Sequence, residues 1–430
     1  MAESQNLETR TISKVVWRLI PFMIFLYLLN YLDRVNIGVA KLQMTKDLHF
    51  EDFVYSIAVS AFYIGYCAFE VPSNLIMDRV GARIWIARIM ISWGLVSAAM
   101  MFISGPWSFY GMRLLLGAAE AGFFPGMILY LSYWIPRRQR AQAAAWFLTS
   151  TALSGVIGNP LAGQIMRLNG FQNLLGWQWL FLIEGLVTVV FGVVVYFYLT
   201  DRPEHAMWLQ PDEREWLCGK LREEKQGSAG DHHNIWAALK DGKVLLLSYV
   251  YATILLSFYC IIYWTPTILK QVLHTDDTTE ISRLSAIPFV AAVIGMVLIG
   301  RNSDRTGKHM LHTAYGCLAG AVGLLIACYF TSSPALTIMG LAISAAGTFG
   351  TLGPFWAMPA SFLRGAAAAA GIAAINALGN IGGGLLGPPM IGSLKDSTGS
   401  YVVGLGVVAQ VLLTGYCVAQ SLDRQAMNED

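Results

Sequence analysis

The chain has 430 residues, 55% hydrophobic and 13% charged, against about 25% charged in a soluble domain, and its mean hydropathy is +0.53. That balance excludes an ordinary water-soluble fold and predicts an integral membrane protein. The net charge of +2 says little, because in a membrane chain the placement of charge outweighs its sum; no nucleic acid is expected as a partner.

The polar start, "MAESQNLETRTISK", lacks the basic-apolar-small order of a cleaved signal, so the first apolar segment is expected to stay as the insertion signal. A crossing needs about 20 apolar residues. Twelve such stretches follow, near 16–41, 54–77, 84–104, 107–133, 141–167, 177–199, 244–270, 281–301, 309–331, 335–361, 366–394 and 400–421. One set of connecting loops carries Arg79, Arg83, Arg137, Arg138, Arg140, Arg301, Arg305, Lys308 and Arg364. The other set carries chiefly Lys41, Lys46, Arg167, Lys270, Arg283 and Lys395. The positive-inside rule then predicts cytoplasmic termini and a cytoplasmic 200–243 loop.

That loop predicts the domain plan: 1–199 as one six-helix bundle, 200–243 as a linker, 244–430 as a second bundle. Within it "PDEREWLCGKLREEK" has helical charge spacing, and His232 with His233 reads as solvated loop rather than a metal site. The six cysteines are scattered and read as packing residues. An internal repeat supports the halving: "NLIMDRVGAR" (Asn74 to Arg83) after the second span and "GRNSDRTGKH" (Gly300 to His309) after the eighth both contain Asp-Arg-x-Gly. Asp78, Arg79, Gly81 and Arg83 thus match Asp304, Arg305 and Gly307 as a conformational loop motif, each glycine supporting a tight turn.

Charges inside the spans are the functional candidates, because an unpaired charge at the bilayer centre costs at least about 2.5–3.5 kcal/mol. In "LNYLDRVN", Asp33 lies about 25 Å along a helix that starts near Val16, at 1.5 Å per residue. Asn30, Asp33 and Arg34 share one face, with Tyr31 next to Arg34. The fourth span places Arg113 in its outer half and Glu120 near the middle, also on one face. Either carboxylate can take a proton when a cavity closes around it, and either guanidinium can hold a carboxylate ligand. The competing reading is a set of ion pairs that pin helices together. Glu70 is expected to pair with loop arginines, and Glu184 in "WQWLFLIEGL" reads as helix packing.

Twelve spans, the six-plus-six division and the repeated loop signature resemble the major facilitator superfamily. The first copy departs from the usual signature in having Asn74 where glycine stands. "NYLDRVNIGVA", "RLLLGAAEAGFFPGMILYLSYWIPRRQRAQA" and "AAAAAGIAAINALGNIGGGLLGPPMIGSLKDSTGS" are similar to its anion:cation symporter family. Members include bacterial permeases for tartrate, sugar acids, phthalate and hydroxyphenylacetate, and more distantly vesicular glutamate and lysosomal sialic acid transporters. The resemblance implies an all-α fold of two six-helix bundles with pseudo-two-fold symmetry, in a bacterial inner membrane, working as one chain. It implies import of a small organic carboxylate by proton symport and alternating access.

It also implies Asp33 and Glu120 as proton-coupling acids, and Arg34 and Arg113 as groups that assist coupling or handle the anion. Tyr31 stands beside Arg34, and the match implies Tyr66, Thr151, Trp356 and Asn380 as substrate contacts, with Tyr259 and Asn376 added. The seventh span carries no charge between Val244 and Ile268, so the extra arginine of the vesicular glutamate members is missing there. No cofactor or metal is expected. A neutral-solute facilitator of the same fold is the alternative. A membrane enzyme is not expected, since no HExxH, GxSxG or Asp-rich metal motif occurs.

Overall fold

The computed structural model describes residues 2–226, 240–362 and 366–429. His232, His233 and Arg364 lie outside the described residues, as do the side chains of Arg137, Arg138 and Arg140. Backbone amides cannot be left unpaired in hydrocarbon, and the described chain answers with helices throughout. In order they are α1 (Ala2–Asp47), α2 (Asp52–Val80), α3 (Ala82–Ala99), α4 (Pro106–Glu120), α5 (Phe123–Trp134), α6 (Arg137–Ile165), α7 (Gly176–Tyr198) and α8 (Pro211–Gln226). The second half has α9 (Gly242–Leu273), α10 (Thr278–Thr306), α11 (His309–Tyr329), α12 (Pro334–Gly350), α13 (Leu352–Phe362), α14 (Ala366–Asn380), α15 (Gly387–Thr398) and α16 (Tyr401–Glu429).

Among the described residues, ten segments are long and apolar enough to cross a membrane. The fifth and eleventh expected spans fall outside those ten but are helical: the fifth is α6, and the eleventh runs from α14 through a π-helical segment, Ile381–Leu386, into α15. One expected span is broken: the fourth splits into α4 and α5 at Ala121, with ψ 135°, and Gly122, which has φ 85°. The tenth runs from α12 into α13 through Thr351, which keeps helical dihedrals and the bonds to Gly347 and from Phe355. Hydropathy reports a crossing and is blind to such breaks.

In the first half α2 packs on α4, α3 on α7 and α1 on α6; in the second, α11 packs on α12 and α16, and α10 on α12. Helix contact between the halves is carried by α6 on α10, α2 on α15 and α1 on α9. The linker helix α8 belongs to the first half. Glu213 holds Arg10 at 2.8 Å and Lys14 at 2.6 Å, and Arg10 also reaches Asp212 at 2.8 Å.

Gly81 and Gly307 both take positive φ, 102° and 67°, the second of them in the left-handed helical region. The two copies of the loop motif are nevertheless built differently. In the first, Asp78 accepts from Tyr133 Oη at 2.9 Å, while Asp201 accepts from the Arg83 amide at 2.8 Å. In the second, the bonds are Ser303 Oγ to His309 Nδ1 at 2.8 Å and Asn302 to His312 at 2.9 Å. These pairs close within their own halves. Glu70 does not pair with loop arginines: among the described residues it makes no ion pair, and Asp78 and Asp201 take the basic partners instead.

Candidate functional site: a buried cation cluster between the halves

Arg34 on α1 and Glu120 at the last turn of α4 form an ion pair, with Arg34 Nε 3.0 Å from Glu120 Oε1 and a second, terminal guanidinium nitrogen on the same oxygen. Both side chains are almost wholly buried. The competing reading of the sequence, ion pairs that pin helices together, would join Asp33 with Arg34 or Arg113 with Glu120; the structure instead pairs Arg34 with Glu120 across helices. Local structure explains it. The carboxylate sits at the carbonyl end of α4, where the helix dipole is unfavourable to an anion, and the Arg34 charge offsets that field. Gly122 makes the break possible: its positive φ and its approach to Ser73, whose Oγ would lie 2.3 Å from a Cβ, leave room for no side chain.

Asp33 turns away from this pair toward α3. It accepts from Trp93 Nε1 and from Ser97 Oγ, the latter at 2.8 Å. Asp33 and Arg34 are thus adjacent in sequence but separated in chemistry, one held by neutral donors and one by a carboxylate.

Arg113 is buried to 1% exposure, and its Nε and one terminal nitrogen lack hydrogen-bond partners. Its guanidinium lies 4.9 Å from the Phe62 ring, and that of Arg34 lies 5.1 Å from the same ring. Phe62 can stand there because α2 and α4 touch through glycine: a Cβ on Gly117 would lie 2.0 Å from the Phe62 carbonyl oxygen. Tyr31 and Tyr66 complete the box around Arg34, at 5.0 and 5.3 Å. Cation–π contact stabilises a desolvated guanidinium without consuming its N–H donors. Two unfilled donors on a buried guanidinium, with a second guanidinium behind one ring, are complementary to a carboxylate.

A polar seam leads from this cluster into the second half. Tyr63 Oη meets Tyr263 Oη at 2.7 Å, the Tyr63 ring lies 4.9 Å from Tyr259, and Tyr259 Oη donates to Asn380 Oδ1 at 3.0 Å. Asn380 Nδ2 in turn donates to the Asn376 carbonyl at 3.0 Å. Tyr31 also packs edge-on against Phe258 of α9 at 6.3 Å. The structure therefore brings together Tyr31, Arg34, Tyr66, Arg113 and Glu120, and joins Tyr259, Asn376 and Asn380 to them through Tyr63.

Two expected residues stand apart. Thr151 donates to its own helix at Leu148 O, 2.8 Å away. Trp356 packs edge-on against Tyr251 at 5.0 Å and against Phe355. Among the described residues, neither has a hydrogen bond or ring contact to Arg34 or Glu120. Sequence reasoning missed Phe62, Tyr63, Trp93, Ser97 and Tyr263. Their only signal was polar or aromatic residues in "AFYIGY", "ISWGLVS" and "IIYWTP", which membrane helices contain for many reasons. The six cysteines are free thiols, and no metal-ligand cluster occurs among the described residues.

The bonds that join the halves run from this depth to the end remote from the basic loops. Ser60 Oγ donates to Leu385 O at 2.8 Å, meeting a carbonyl in the π-helical segment. Lys41, paired within the first half with Asp52 at 2.5 Å, reaches across to the Trp264 ring of α9 at 3.7 Å. Asp396 accepts from the Phe53 amide at 2.7 Å, and Tyr401 Oη donates to Asp52 at 3.3 Å. Asp276 takes Lys46 at 2.8 Å and Lys270 at 3.0 Å. These two ammonium groups hold its carboxyl well below the usual range, at about 2.

Comparison with known proteins agrees with the fold. The chain is 47% identical over 427 residues to a "Putative tartrate transporter" of Agrobacterium vitis, covering 98% of this chain and 97% of the relative. It is 40% identical over 425 residues to a "Quinolone resistance transporter" of Acinetobacter baumannii, covering 98% and 97%. It is also 40% identical over 417 residues to a "Putative metabolite transport protein NicT" of Pseudomonas putida, covering 97% and 95%. Among solved structures, a bacterial homologue of the human lysosomal transporter Spinster superposes with a TM-score of 0.72 at 16% identity, covering 95% of this chain and 96% of that one. The xylose transporter XylE of E. coli gives a TM-score of 0.69 at 14% identity, covering 94% and 97%. The family model for the Major Facilitator Superfamily matches residues 23–388, and with the helical architecture above it places this chain in that superfamily of membrane transporters.

Proposed function

We propose that the protein imports a small organic carboxylate by proton symport through alternating access. The observation that carries the reading is the opposition of Arg34 and Glu120 beside Arg113, a buried guanidinium with unfilled donors. Arg113 offers its unfilled donors to an anion, and a proton on Glu120 frees Arg34 to join it. Asp33, held by neutral donors, is the second coupling acid. Binding and protonation then favour the same conformations, which is what coupling requires. The name of the Agrobacterium relative, a tartrate transporter, supports a hydroxy dicarboxylate as the first substrate to try.

The cycle follows from the seam. The basic loops mark the cytoplasmic face of a bacterial inner membrane, where both termini then lie. The bonds between the halves cluster toward the other face, which supports reading the described state as closed on the outside. Residues 1–199 and 244–430 rock against each other about the cluster, with 200–243 as the linker and α8 travelling with the first half. Tyr66, Tyr259, Asn376 and Asn380 orient the anion, Thr151 and Trp356 line the approach, and the Asp78–Arg83 and Asp304–Gly307 loops gate the inner face. The chain works as one copy in its bilayer. A neutral-solute facilitator would leave the Arg34–Glu120 pair as a structural pin.

The test is uptake of tartrate by purified protein in liposomes under an inward proton gradient. Wild type accumulates it, and Asp33→Asn loses accumulation while still exchanging tartrate across the membrane. Accumulation by Asp33→Asn at the wild-type level removes Asp33 from the coupling role.

A further inference from the structure

A third buried carboxyl lies one turn along α1 from Asp33. Glu184 of α7 is 7% exposed, and its Oε1 accepts from Asn36 Nδ2. Two atoms of the same pair are buried without a partner: Glu184 Oε2 and Asn36 Oδ1. Both are acceptors as they stand, and two orphaned acceptors on groups already bonded to each other cost free energy. One proton satisfies both. A proton on Glu184 Oε2 donates to Asn36 Oδ1 while Asn36 Nδ2–H donates to Glu184 Oε1, closing the hydrogen-bonded ring that a carboxylic acid forms with a primary amide.

The surroundings fit a neutral acid. From α1 the nearest ionisable groups are Asp33, bound to Trp93 and Ser97, and Arg34, turned to Glu120. From α3 the cation is Arg88, which reaches Ser92 at 3.5 Å. The stretch 147–165 of α6 has no ionisable residue, and Arg167 beyond it is exposed and reaches Gln164 at 3.4 Å. The 3-10 turn Met100–Phe102 has none. Among the described residues Glu184 has no ion pair, so an ionised form would rest on one amide bond.

We propose that Glu184 keeps its proton throughout the transport cycle, and that the Glu184–Asn36 ring is a positioning device. It ties α7 to the turn of α1 that carries Asp33, and it does so without setting a second negative charge beside that carboxyl. Glu184 is thereby a positioning residue whose neutrality lets Asp33 be the group that exchanges its proton. The ring stands on hydrogen bonding alone; its use in transport rests on the coupling role given to Asp33 above.

The experiment is infrared spectroscopy of the reconstituted full-length protein joined to uptake. Wild type shows a protonated-carboxyl C=O band that persists from about pH 5 to about pH 9, a range in which an ordinary glutamic acid is ionised, and Glu184→Gln lacks it. Glutamine rebuilds the ring through its own amide, so this conservative variant keeps the wild-type pH profile of tartrate uptake. Asn36→Leu cannot rebuild it and loses about tenfold in proton-driven accumulation, which corresponds to about 1.4 kcal/mol, with a displaced pH profile. Should Glu184→Gln fail to assemble, Asn36→Leu still reports, because removal of the amide partner moves the Glu184 band to higher frequency. A band that titrates, a band unmoved by Asn36→Leu, or a lowered proton-to-substrate ratio in Glu184→Gln overturns the proposal. Failure of the Asp33→Asn test would remove the transport role while leaving the band in place.

Discussion

Glu120→Gln is the perturbation that separates a coupling pair from a pin. Two nitrogens of Arg34 are spent on Glu120 Oε1 in the present state, so an incoming carboxylate competes with that oxygen for the guanidinium charge. Glutamine keeps the shape and removes the charge. A hydrogen bond to a charged group is worth about 1.5–3 kcal/mol net, and each 1.4 kcal/mol is about tenfold in affinity. Releasing one such bond should tighten carboxylate binding by roughly 10- to 100-fold. The same change removes a proton site, so accumulation driven by a proton gradient should fall to the level set by the substrate gradient alone. Equilibrium binding of labelled tartrate to purified protein reads the first effect, and uptake in liposomes reads the second. Weaker binding with intact accumulation would refute the argument, because it would mean that Glu120 shapes the site without carrying a proton.

Arg34→Ala leaves Glu120 buried and uncompensated, and removing one partner of a buried pair costs about 3–5 kcal/mol; a thermal-shift screen of carboxylates should find a lower melting temperature and no ligand-induced rise. Gly122→Val demands positive φ from a branched residue against Ser73, a strain of about 1–3 kcal/mol, and should lower the melting temperature and impair uptake. Asp276→Asn weakens the outer latch. In a background with Cys67 and Cys417 changed to serine, Ser56→Cys at the α2–α15 seam should then react faster with an impermeant maleimide, by less than about fivefold for so exposed a pair. Because the Asp276 carboxyl is depressed, its latch is at full strength above the ordinary carboxylate range and weakens only as pH falls toward about 2; the labelling rate of the otherwise unchanged protein should show no Asp276-dependent step between about pH 5 and about pH 8.

Hydropathy and loop charge carried the fold, because desolvation makes every crossing apolar and every buried charge conspicuous. For the same reason Asp33, Arg34, Arg113 and Glu120 stood out of "NYLDRVN" and "RLLLGAAE" without a structure. Which of them meet was illegible. Helical spacing sees neighbours on one helix, while the Arg34–Glu120 pair depends on the Gly122 break and on the close α2–α4 crossing at Gly117. Glu184 shows the complementary failure: the residue was visible, but its meaning lies in two orphaned oxygens that only coordinates reveal. Phe62 carried only a weak signal, since an aromatic residue in a membrane helix is ordinary until a cation is found against it.

The Asp396 carboxylate, bonded to the first amides of α2, gives the outer closure a particular character. Every group it engages is one that water can serve nearly as well, so parting the helices there trades protein partners for solvent at little net expense. A clasp of that kind parts readily, which is what the proposed rocking of the halves asks of it.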